Sequence, residues 1–157
     1  MSLDNNLSVR TPMETFTTQR RIRMSDADIY GNVHNLSILQ YAEDTAIEFA
    51  WALRDELGTQ TYWGTASIQA SFTMPLPWTL GEVGLTLQTE KVGRVSLSLL
   101  VRVSSDLAEH ATVRLRTMRF DSTGNRNVIP PEERRWYSRY LTPDAPGSAR
   151  ILAGARV

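Results

Sequence analysis

Cysteine is absent from these 157 residues, which rules out disulfides, thiolate zinc sites and a cysteine nucleophile together. That composition suits a reducing cytoplasm. Net charge is missing too. With 17 basic and 17 acidic residues, no overall field draws the chain to nucleic acid or to an anionic membrane. No run approaches the roughly 18 apolar residues of a membrane helix, and the opening MSLDNNLSVRTPMETF lacks the apolar stretch of a secretory signal. The expectation is a soluble cytoplasmic protein with no nucleic-acid and no membrane partner. Local signatures are equally scarce: no G-x-S-x-G elbow, no phosphate loop and no G-x-G-x-x-G fingerprint. The only histidines are His34 and His110, so a nucleophilic triad has no local signature behind it.

What is present is ordinary globular material, 41% hydrophobic and 22% charged, enough for one core without disulfides or metal. Phe16, Thr18, Ile22 and Met24 share one parity and predict a first strand over 15–24. From Leu36 to Leu57 there is no Pro or Gly. Leu39, Ala42, Ala46, Phe49, Ala50, Leu53 and Leu57 recur there at helical steps, and Gly58 follows as a C-cap glycine. Strands are then predicted around Ile68–Met74, Val83–Leu87, Val95–Val103 and 108–121, with Lys91 to Arg94 as a hairpin connection. A short helix follows Pro130 and Pro131. One long helix followed by four strands predicts an α+β fold in which the helix lies on a curved antiparallel sheet. The expected division is an N-terminal arm (1–14), one domain (15–140) and a flexible tail (141–157).

The densest polar stretch is MSDADIYGNVHNLSILQYAED, residues 24–44, at the crossing from first strand to helix. Asp26, Asp28 and Asn35 can be plain turn and cap residues, satisfying free backbone donors. A calcium loop fails, because Tyr30 and Ser37 stand where the fifth and twelfth ligands belong. A metal held by Asp26, Asp28 and His34 lacks a recognisable ligand spacing. The alternative to a capped turn is an active site. Asp28 supplies a carboxylate, and the helix start near His34 to Ser37 supplies unpaired N–H groups and the positive end of the helix dipole. A carbonyl polarised there could be attacked by the carboxylate or by a water it activates.

These residues resemble the signature of hotdog-fold acyl-CoA thioesterases of the 4-hydroxybenzoyl-CoA thioesterase type, D-x-D-x-x-G-H-V-N-N-x-x-Y-L-x-Y-x-E. Asp26, Asp28, Gly31, Val33, Asn35, Leu39, Tyr41 and Glu43 match it. The resemblance implies a hotdog fold of about five strands around a long central helix, hydrolysis of an acyl-CoA thioester without cofactor or metal, and a homodimer or homotetramer with its site at the subunit interface. It assigns Asp28 as nucleophile or general base and Asn35, with His34 beside it, to the helix start that polarises the carbonyl. The expected substrate-binding set is Tyr30, Gly31, Asn32, Tyr41, Glu43 and Arg94, with Arg94 chosen for the coenzyme A phosphates because arginine suits them. Arg102, Arg114, Arg116 and Arg119 are further candidates for coenzyme A phosphates. Trp51, Tyr62, Trp63 and Trp78 read as core or pocket wall. The family's His and Asn have exchanged places at Asn32 and His34, and its Tyr is Ile38. Two other readings stay open. One is an enoyl-CoA hydratase, although Asp28 to His34 is one residue too long for D-x-N-P-[LIV]-H. The other is a non-catalytic acyl-CoA-binding module in which Asp28 only makes a turn.

Overall fold

The computed structural model describes residues 13–143 and 145. Most of the expected arm and tail lies outside them. Strand β1 (Phe16–Arg21) leads through a 3₁₀ turn at Met24–Asp26 into helix α1 (Asn35–Leu57). Strands β2 (Tyr62–Phe72), β3 (Glu82–Val92), β4 (Ser96–Ser104) and β5 (Glu109–Phe120) follow, then helix α2 (Pro131–Ser138). The strands form one antiparallel sheet in the order β1-β3-β4-β5-β2. Register shifts at Thr65/Ser67, Thr89/Lys91 and Val103/Ser104 add the local bends that let a sheet curve around a helix.

Alternation places the core. Val83, Leu85 and Leu87 of β3, Leu97, Leu99, Val101 and Val103 of β4, and Ala111, Val113 and Leu115 of β5 are all buried under α1. The helix answers with Ile38, Tyr41, Ala42, Thr45, Phe49 and Leu53, spaced three and four apart as one helical face requires. That face is rotated from the one expected. Leu39, Ala46 and Leu57 are only half-buried, and Ala46 with Ile47 and Ala50 lines an open cleft on a second side of the helix. Helix α1 ends as predicted at Gly58, which takes φ 68° and donates its N–H to Arg54 O at 2.8 Å.

At the α1 C-terminal end an aromatic cluster locks α2 onto the helix. Phe49 lies 4.9–5.8 Å from the ring centres of Trp136, Tyr137 and Tyr140. Burying Phe49 fully stabilises by about 1.5–3 kcal/mol. Arg119 and Glu133 meet beneath them in a two-pronged pair, Nε–Oε2 at 3.0 Å and Nη2–Oε1 at 2.9 Å. Glu133 is fully buried.

Candidate active site

The chain between β1 and α1 doubles back as a miniature hairpin, with Ala27 bridged to Val33. The Asp28 carbonyl accepts from the Gly31 N–H at 3.2 Å and the Asp28 N–H donates to Asn32 O at 2.7 Å. Gly31 sits at φ +80°, a left-handed conformation that glycine adopts without Cβ strain. The Asp28 side chain closes the turn: its Oδ1 accepts from the N–H groups of Tyr30 (2.8 Å) and Asn32 (3.1 Å). That is the turn chemistry the capped-turn alternative requires. Only one oxygen is engaged, however. Among the described residues Oδ2 accepts no hydrogen bond, and the half-buried carboxylate is left with one free, fixed oxygen.

Asp26 anchors the other side of the hairpin. Its Oδ2 accepts from the Arg23 N–H at 2.9 Å and from the Tyr41 hydroxyl at 2.6 Å, while its carbonyl accepts from the His34 N–H at 2.8 Å. Burial, reinforced by the Asp26 carboxylate, pushes the Tyr41 hydroxyl far above its ordinary pKa, so it stays protonated as the donor. His34 is the N-cap of α1, but its side chain makes no capping bond. Among the described residues the N–H groups of Asn35, Leu36 and Ser37 therefore lack partners, and the first bond of the helix is Ile38 N–H to His34 O at 3.0 Å.

The opposite wall is the strap of residues 73–77 that leaves β2. It is stitched to the hairpin by Val33 N–H to Leu76 O (2.8 Å), Trp78 N–H to Gly31 O (3.1 Å) and an Asn32–Pro77 bridge. Between strap and hairpin lies a pocket of about 260 Å³ lined by Asp28, Asn32, Val33, Asn35, Ile38 and residues 72–76. The carboxylate and the start of the uncapped helix thus share one pocket.

Of the residues expected at a site, Asp28, Asn32 and Asn35 meet here, and Gly31 makes the turn that holds them. His34 is exposed at the helix start, and Tyr30 is 82% exposed at the hairpin tip. Tyr41 points inward to Asp26. Arg94 lies exposed beyond β3, at the Leu97 end of β4, whereas the strap leaves β2 at Phe72, opposite Ala111 and Val103. Within one chain the two are at opposite ends of the sheet. Arg119 is committed to Glu133, and Arg114 to Glu90 at 3.0 Å.

Glu43 belongs to a second, larger cleft of about 350 Å³ between α1 and the first half of β2. Its Oε2 accepts from the Thr65 hydroxyl at 3.0 Å. Ile47, Trp51, Tyr62 and Trp63 supply aromatic and apolar wall, with Tyr137 behind them. The Tyr137 hydroxyl is raised far above its ordinary pKa by burial and then by the Glu133 charge, while the Trp63 N–H turned toward it acts the other way. Neither the Trp63 N–H nor the Tyr137 hydroxyl completes a hydrogen bond among the described residues. This cleft offers volume; the smaller pocket offers the groups that do chemistry. No local pattern signals the strap or the tie between Tyr41 and Asp26. Among the described residues no group of three or more His, Asp or Glu is placed to hold a metal ion, and no helix is long and apolar enough to cross a membrane.

Comparison with known proteins agrees with this geometry. The chain's architecture is shared by a predicted thioesterase from Bacillus stearothermophilus, at 20% identity and TM-score 0.73 over 85% of this chain and all of that one. It is shared by a Staphylococcus aureus protein solved in complex with CoA, at 15% identity and TM-score 0.70 over 87% of this chain and 92% of that one. A Thermus thermophilus thioesterase complexed with coenzyme A and Zn superposes at 22% identity and TM-score 0.64, over 79% of this chain and 90% of that one. At such identities these likenesses establish the hotdog fold. No curated protein matches the chain. Residues 22–137 match the model of the thioesterase-like superfamily, a span that runs from the end of the first strand, before the Asp28 hairpin, to α2. The chain belongs to the thioesterase-like superfamily and is a thioester hydrolase.

Proposed function

We propose that the substrate is an acyl-CoA and that hydrolysis occurs in the Asp28 pocket. The observation that carries this reading is the shared wall: Asp28, whose carboxylate keeps one oxygen without a partner among the described residues, lines one small pocket with Asn35, the first residue of a helix whose opening N–H groups also lack partners among them. The N–H groups near Asn35 receive the thioester oxygen and stabilise the oxyanion formed on attack. Asp28 Oδ2 either adds to the carbonyl carbon, giving an anhydride that water opens, or takes a proton from the attacking water. Both routes consume one water and release a carboxylic acid and the thiol of coenzyme A. Coenzyme A as the thiol is supported by the two structural neighbours solved with it. Within the superfamily, the D-x-D-x-x-G spacing at Asp26–Gly31 favours the 4-hydroxybenzoyl-CoA thioesterase type.

One observation favours the acyl-binding alternative, namely the two backbone bonds to Asp28 Oδ1, which give the aspartate a purely local task. Thiol release from aromatic, short-chain and long-chain acyl-CoAs by wild type and Asp28→Asn separates the readings. Turnover lost in the variant supports catalysis. Binding without turnover in the wild type supports the module.

The working unit in this proposal is a homodimer or a homotetramer built from dimers. Strand β2 is an edge, with Ile68 and Phe72 more than 40% exposed, and an unpaired edge of this kind invites a second strand. Antiparallel pairing of two β2 strands about Ser67 would set Phe72 of one copy beside Tyr62 of the other. Each Asp28 pocket would then adjoin the other copy's large cleft, so Glu43 and Arg94 would approach the site from a second subunit. Ile68→Lys is expected to shift the sedimentation coefficient to that of a monomer and to lower turnover with it.

A further inference from the structure

His110 is 2% exposed and lies outside the pocket, yet both ring nitrogens are committed. Nδ1 stands 3.2 Å from Met74 O and 3.0 Å from Pro75 O. Carbonyls only accept, so Nδ1 carries the proton, and the tautomer with its single proton there presents Nε2 as an acceptor. Nε2 lies 2.7 Å from Ser105 Oγ, which donates to it while accepting from the Leu107 N–H at 3.2 Å. The His110 backbone adds to the grip, its carbonyl accepting from the N–H groups of Thr73 (2.9 Å) and Met74 (3.3 Å). Everything His110 holds on the β2 side belongs to the strap.

That strap is the wall facing Asp28, and it contains two prolines, Pro75 and Pro77, which have no N–H with which to tie themselves down. From the ring the linkage is short. His110 fixes the Met74 and Pro75 carbonyls, the next carbonyl is Leu76 O, and this accepts the Val33 N–H of the Asp28 hairpin. We propose that His110, in its Nδ1–H form and oriented by Ser105, is a positioning residue for the thioesterase reaction. It sets the distance between the strap and the carboxylate–helix pair without touching substrate.

The kinetic arm of the test rests on the thioesterase reading, and two further arms do not. His110→Ala is expected to lower kcat about 10- to 100-fold, the scale on which a small misplacement acts, with KM moved far less. His110→Asn, whose amide can donate from the Nδ1 position, is expected to recover most of kcat, and Ser105→Ala to give an intermediate loss. Amide hydrogen exchange at Val33 and Trp78 is expected to quicken in His110→Ala and to slow again in His110→Asn. Imidazole ¹⁵N shifts of the wild type are expected to show the Nδ1–H tautomer. An Nε2–H tautomer, exchange at Val33 unchanged in His110→Ala, or a lower melting temperature with kcat intact would each overturn the proposal. Should His110→Ala not fold, His110→Asn, Ser105→Ala and the tautomer decide it. If the wild type hydrolyses no thioester, the thioesterase reading fails by itself, and the tautomer and exchange results still decide what His110 holds.

Discussion

The two ends of α1 are built on opposite principles. At the C-terminal end, Phe49, Trp136, Tyr137 and Tyr140 interlock over the buried Arg119–Glu133 pair, and Gly58 caps the helix. At the N-terminal end the cap side chain is withheld, three N–H groups have no partner among the described residues, and Leu36 and Tyr30 stand mostly in solvent. One end satisfies its polar groups and buries its apolar ones; the other leaves both available. Stability is concentrated where α2 docks, so the Asp28 end can keep unsatisfied groups ready for a ligand.

The largest expected effect separates the ends by activity. Asp28→Asn retains an oxygen acceptor for the Tyr30 and Asn32 N–H groups, so the hairpin and the melting temperature should persist while turnover falls about 10²–10⁴-fold. The mirror experiment is Arg119→Leu, which leaves the Glu133 charge buried and uncompensated. It should cost about 3–5 kcal/mol, a drop in melting temperature on the order of 10 °C, with kcat per folded molecule near wild type. A loss of turnover in Arg119→Leu matching that in Asp28→Asn would erase the division between the ends.

The smallest effect concerns pH. Arg139 binds Glu14 by two hydrogen bonds of 3.0 Å and Glu56 by one of 2.8 Å. Glu14 is held below its ordinary pKa chiefly by Arg139, and Glu56 chiefly by the Trp136 N–H and then Arg139. Carboxylates with depressed values stabilise the fold fully above their unfolded pKa, near 4.5, and that contribution disappears as pH falls through the folded values. Thermal melts should therefore weaken with acid below about pH 4.5. Arg139→Gln should flatten that acid slope by lowering the melting temperature slightly at pH 7 and hardly at all in strong acid, a small change because exposed pairs contribute little.

Much of the fold is legible because its signals are local. Alternation in Leu97, Leu99, Val101 and Val103 marks β4, and the stretch without Pro or Gly ending at Gly58 marks α1. The inward face of α1 is harder to read. Tyr41 and Thr45, polar by type, turn inward because each finds an acceptor: Asp26 for Tyr41 and the Tyr41 carbonyl for Thr45. Strand β2 begins at Tyr62, before the alternation that marks it at Ile68, because an edge strand exposed on both faces shows no clear period. At the site, Asp28, Asn32 and Asn35 can be found because the hairpin places them within eight residues. The strap and His110 cannot, since they reach the hairpin only through backbone bonds made across the fold. Pro75 and Pro77 announce the end of a strand and nothing about the wall they form.

The Arg119–Glu133 pair also constrains how this chain can be inherited. A change at either position alone passes through a protein with a stranded buried charge, whereas replacing both with apolar residues of similar volume is close to neutral. Lineages of this protein should therefore alter the two positions together or leave both alone. Position 119 in any descendant should then foretell position 133, though fourteen residues separate them.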